Sequence, residues 1–144
     1  MSPTVTSSSL DSRLNTSSSV VISLFRLVIG FLFAVHGAMI LFGWPLNMQL
    51  SAGTWPGWWA GLIEFVTGLL VMVGLFTRPA AFLASGTMAV AYFWQHQPQA
   101  LWPFDSHIGG NNGELAILFC FSFFLLVFIG PGSVAIDSLV RRKR

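Results

Sequence analysis

Five ionisable side chains lie in or beside long apolar runs: Arg26, His36, Glu64, His96 and Glu114. Glu64 is the most demanding of them. It stands in WWAGLIEFVTGLLVMVGLF (58–76), with no other charge before Arg78. A carboxylate inside hydrocarbon is costly, so it must face protein or water and not lipid. At about 3.6 residues per turn, Gly57, Gly61 and Gly68 fall on the stripe of Glu64, and small residues let another backbone come close. Carboxylates and imidazoles gathered there could bind a proton, a cation or the carbonyl of a quinone. They could equally form a satisfied polar network that fixes helix register.

The other four residues each carry a chemical and a plainer reading. Arg26 shares a helical face with Gly30, Phe33 and Gly37, and either snorkels towards headgroups or enters a buried ion pair. His36, on the flank of that face, is a neutral hydrogen-bonded imidazole or else a ligand or proton relay. His96 closes a stripe of Ser85, Ala89 and Tyr92, and suits an interfacial place at a helix end. Glu114 falls in the first turn of an expected helix with Asn112 as its cap, where the dipole and free N–H groups favour a carboxylate. Asp105 and His107 follow His96, but their spacing matches no metal motif and no metal site is expected. Cys120 is alone, which excludes a disulfide framework and a thiolate cluster.

The elements that must position these residues are membrane helices. The chain is 54% hydrophobic and only 8% charged, where a soluble domain carries about a quarter charged residues. Its tryptophans gather near the ends of apolar runs, as interfacial anchors do. No glycine-rich phosphate loop or nucleophile elbow is present, and the basic residues collect at one end, so no nucleic-acid partner is expected. The expected fold is all-α, a four-transmembrane-helix bundle. Residues 1–19 read as a disordered Ser/Thr-rich tail. Residues 20–139 form the membrane domain, with spans at about 20–42, 58–76, 79–96 and 113–129, and 140–144 form a basic tail. The first apolar run is too long for a signal-peptide core and lacks a cleavage pattern, so it is expected to stay as a span.

Charge then orients the bundle. The loops 44–56 and 97–112 contain no Lys or Arg, whereas Arg13, Arg78 and the basic cluster 141–144 share the other side. The positive-inside rule places both termini in the cytoplasm. His36, Glu64, His96 and Glu114 then share the outer half of the bilayer, and Arg26 lies lower but could reach up by ~6 Å.

These residues resemble the DoxX family of small bacterial four-helix membrane proteins. The likeness runs from Leu24 to Leu139. It rests on the Arg26 span ending in His36-Gly37, Glu64 followed by Gly68, and Gly74-Leu75-Phe76-Thr77-Arg78. An alanine-rich third helix, Asn111-Asn112-Gly113-Glu114, and Gly130-Pro131-Gly132 with Asp137 complete it. The resemblance implies a multi-pass protein of a bacterial inner membrane. It implies, too, that Arg26, Glu64 and Glu114 occupy the family's recurring charged places. The family takes its name from a subunit of a thiosulfate:quinone oxidoreductase. The function expected is therefore a membrane subunit of a redox-linked, quinone-associated complex, with Phe33, Tyr92, Trp94 and Phe121 lining a ring slot. The alternatives are a non-catalytic accessory or assembly subunit and a small proton or solute carrier. The partners expected are the lipid bilayer and either other membrane subunits or a second copy of the chain.

Overall fold

The computed structural model describes residues 5–142. Residues 1–4 and 143–144, parts of the predicted N-terminal and basic tails, lie outside the described residues. The chain is helical, with no strand among the described residues. Helix α1 spans Val5–Phe42, α2 Gly57–Val73, α3 Thr77–Ala91, α4 Glu114–Ile129 and α5 Ile136–Arg142. A π turn, Tyr92–His96, extends α3, and a short 3-10 turn, Ser106–Ile108, lies in the loop before α4.

Helix α1 starts at Val5 and not near residue 20, so most of the expected tail continues the helix. The Thr16 and Ser23 hydroxyls donate to carbonyls one turn back, Ser12 and Ser19, both at 2.9 Å. Hydroxyls held in this way do not compete with the helix, and the apolar run that follows supplies the nucleus from which it propagates.

The other boundaries follow from glycine and proline chemistry. Helix α2 stops at Gly74 (φ 74°), whose N–H meets the Leu70 and Val71 carbonyls at 3.0 Å while the Leu75 N–H also returns to Leu70. This is a left-handed cap of the kind glycine favours. Pro79 lies in the first turn of α3, where its missing N–H costs nothing. Beyond Ala91 the Gln97 N–H bonds the Tyr92 carbonyl at 2.9 Å, so the helical path reaches His96 in a wider turn.

The helices pack as two hairpins, α1 on α2 and α3 on α4, joined mainly along α2 and α3. Helices α1 and α2 nearly touch backbones: a Cβ on Gly30 would lie 2.6 Å from the Met72 nitrogen, and one on Gly68 would lie 2.8 Å from the Ala34 Cα. In the core, Phe33 packs on Phe119 and Phe123 with ring centroids 5.1 and 4.6 Å away, and Ala80, Ala81 and Ala84 bring α3 close to α4. Ser85 Oγ donates to the Cys120 carbonyl at 2.9 Å across that seam.

Apolar residues cover the outside as well. Leu24, Leu27 and Phe31 on α1, Phe82 on α3, and Leu118, Phe121 and Phe128 on α4 are all exposed. The section Leu14–Phe42 of α1 is long and apolar enough to cross a membrane, while α2 and α4 are apolar but shorter, at 17 and 16 residues.

Candidate functional site

The close approach of α1 and α2 decides what Glu64 meets. Gly61 packs on the Ile40 side chain and Gly68 on the Ala34 backbone, while Gly37 lies against the Phe65 backbone. With the two helices this near, His36 and Glu64 face each other. His36 Nδ1 lies 2.6 Å from Glu64 Oε2, and the carboxylate residue is only 2% exposed. This is the contact between two titratable side chains found among the described residues. Thr67 stays out of it, donating to its own helix at the Ile63 carbonyl, 2.6 Å away.

Chemically, the pair is a carboxylate that orients an imidazole. A hydrogen bond at one ring nitrogen fixes the tautomer and ring direction, which defines what the other nitrogen can do. His36 is half-buried, and its Nε2 has no hydrogen-bond partner among the described residues. In the neutral ring with Nδ1–H donated to Glu64, Nε2 accepts; in the imidazolium it donates. The arrangement can therefore pass a proton or hold a polar ligand.

Arg26 is not part of it. Its guanidinium is 3% exposed and lies at the other end of α2. Nε donates to the Pro131 carbonyl at 2.9 Å, one terminal nitrogen to Met72 at 2.7 Å and also to Val71, and the other to Val134 at 2.6 Å. Neither the snorkelling nor the ion-pair reading describes this. Arg26 caps the last carbonyls of α2 and ties the segment after α4 to the same point, because helix C-termini offer unpaired carbonyls and a negative dipole end.

The remaining predicted residues stand elsewhere. Glu114 is exposed in the first turn of α4 with no side-chain partner among the described residues, so the two carboxylates do not meet. The expected cap, Asn112, instead accepts from the Ser106 N–H at 2.9 Å, and Asn111 accepts from the Gly113 N–H at 2.8 Å. His96 Nδ1 meets the Asn111 carbonyl at 2.8 Å, and its ring stacks near Tyr92. It latches the loop. Among the described residues the expected aromatics do not come together as a ring slot: Phe33 is wholly in the core, while Trp94 and Phe121 face outwards, 54% and 67% exposed. Two described concavities, lined around Trp102 and around Arg78, include neither His36 nor Glu64. The pair supplies a polar contact suited to a quinone carbonyl, and neither described concavity joins it to the four predicted aromatic residues.

Asp137 is the functional-looking residue that sequence spacing missed. Its carboxylate accepts from the Phe76 and Thr77 N–H groups, both at 2.9 Å, and so caps α3 from 60 residues away. Its own N–H donates to the Gly74 carbonyl at 2.9 Å. No local pattern could have paired positions so distant; a lone carboxylate in an otherwise apolar segment was the available signal.

Residues 21–97 match the DoxX family model, a stretch that contains Arg26, His36, Glu64 and His96. An uncharacterized protein of Haemophilus influenzae is 34% identical over 128 residues, covering 85% of this chain and 92% of that one. No solved structure matches the chain. On that family match and that relative, the chain belongs to the DoxX family of membrane proteins.

Proposed function

We propose that the protein is a four-span subunit of a redox-linked membrane complex, with the His36–Glu64 pair as its chemically competent element in the outer half of the bilayer. Helices α1, α2, α3 with its π turn, and α4 would be the spans, with both termini cytoplasmic, in the inner membrane of a bacterium. One observation carries the reading. Arg26, Asp137 and His96 all serve backbone groups of the fold, whereas Glu64 is buried and bonded to another titratable side chain at 2.6 Å.

That pair has an open ring nitrogen and lines neither described concavity, which supports a site completed by a partner. Any quinone served by the complex must find its ring walls there. The accessory-subunit reading draws on a different observation: most buried polar groups are used up within the fold, and the exterior is apolar. The carrier reading has less behind it, because the polar groups at the two ends, Arg26 with Asp137 and His96 with Asn111, bond to backbone and do not form a path.

The experiment is isolation of the tagged chain from its own membranes in mild detergent, with mass spectrometry of what is retained. The reading expects an oxidoreductase subunit in stoichiometric amount. Recovery of a partner with no redox chemistry would favour the accessory reading, and recovery of the chain alone would overturn both.

A further inference from the structure

The end of the molecule opposite the His36–Glu64 pair carries a second polar feature. A concavity of about 590 Å³ opens between the base of α1, the turn from α2 to α3, and the segment that follows α4. Three of its lining residues differ in chemistry. Arg78 is exposed and makes no hydrogen bond or ion pair among the described residues; its guanidinium lies over Gly130, where a Cβ would come within 3.3 Å of it. Asp137, half-buried, lines the same concavity and accepts the Phe76 and Thr77 N–H groups. Thr77 is fully buried, and its hydroxyl is the buried side-chain polar atom left without a partner among the described residues. Ile22, Phe76 and Ile129 supply an apolar wall that runs on into the exposed apolar exterior of the helices.

A free guanidinium and an unpaired hydroxyl ask for an acceptor with several oxygens, and a carboxylate lining the same concavity asks for a cation. The apolar wall asks for hydrocarbon. We propose that this concavity binds the headgroup of a zwitterionic phospholipid carrying a primary amine, a phosphoethanolamine. Its phosphate sits at Arg78 and Thr77, its ammonium at Asp137, and its chains pass over Phe76 and Ile129. A trimethylated amine has no N–H to give Asp137, and a headgroup with no cation leaves Asp137 facing a phosphate. The site is thus selective against phosphatidylcholine and phosphatidylglycerol. It is independent of the reading of the His36–Glu64 pair and adds a lipid partner at the other face of the protein.

The test uses the purified full chain in detergent, mixed with dioleoyl phosphatidylethanolamine, phosphatidylcholine or phosphatidylglycerol at equal concentration. Retained lipid is counted by native mass spectrometry, and the thermal midpoint is followed in parallel. The wild type should retain the ethanolamine lipid about tenfold better than the choline lipid, the ratio expected from one charge-assisted hydrogen bond. Arg78→Gln and Thr77→Val should each lower retention of the ethanolamine and choline lipids alike by about tenfold, because they remove contacts to the phosphate that both carry. Thr77→Val should at the same time be at least as stable as wild type without lipid, because it replaces an unpaired buried hydroxyl by a methyl group. It therefore decides the matter if Arg78→Gln does not fold. Equal retention of the three lipids, preference for phosphatidylglycerol, or unchanged retention in both variants would overturn the proposal. So would soluble glycerophosphoethanolamine raising the midpoint as much as the lipid, since that would place the ligand in solution.

Discussion

Replacing Arg26 by methionine removes the guanidinium while keeping much of its length and volume. In the folded protein that group serves four carbonyls, on Val71, Met72, Pro131 and Val134. A hydrogen bond from a charged donor contributes about 1.5–3 kcal/mol. Part of that is offset, because the substitution also removes a buried charge that was costly to desolvate. Taking about 1 kcal/mol net for each carbonyl gives a loss of about 4 kcal/mol. Reversible unfolding in mixed detergent micelles measures it. Geometry makes a second demand. Glu64 lies seven residues before Val71, or about 10 Å along α2, so Arg26→Met and Glu64→Gln should add to within about 0.5 kcal/mol. A loss below about 1 kcal/mol would refute the capping role, and strong coupling between the two substitutions would restore the direct ion pair that the structure replaces.

Other substitutions probe the seams and the bystanders. Gly68→Ala should destabilise by about 1–3 kcal/mol, since its Cβ would meet the Ala34 backbone at 2.5 Å. Gly86→Ala, with open space around it, should stabilise by about 0.5–1 kcal/mol in the same unfolding assay. Asp137→Ala leaves the Phe76 and Thr77 N–H groups without their cap, and should lower stability by about 1–2 kcal/mol, with faster hydrogen exchange confined to the start of α3. Glu114→Gln should change stability by less than about 0.5 kcal/mol. A large effect there would mean that this exposed carboxylate has a partner outside the chain.

The helices were legible because their causes are local. Apolar length, Gly74, Pro79 and Gly130 mark ends that differ from the predicted spans by a few residues. The beginning of α1 was not legible, since Ser and Thr read as a polar tail until their hydroxyls are seen bonded to the preceding turn. For the site, the small-residue stripe showed that Glu64 faces another backbone, and the closeness of Gly30, Gly37 and Gly68 to the facing helix bears this out. Depth alone could not choose its partner. His36, Glu114, His96 and Arg26 were all within plausible reach, and only packing shows that His36 meets it. Arg26 was misread because a carboxylate looks like the natural partner for a guanidinium. The carbonyls at the end of α2 carry no signal in the side-chain sequence.

The measurement that bears most directly on the central claim is the turnover of the proposed redox-linked complex, isolated through this chain and compared between wild type, Glu64→Gln and His36→Gln at equal amounts of assembled complex. If the buried pair exchanges protons with what the complex processes, both substitutions should lower turnover by about a hundredfold or more with assembly intact. Wild-type turnover in a folded, assembled Glu64→Gln complex would contradict the account and leave the 2.6 Å contact as a device for holding α1 against α2.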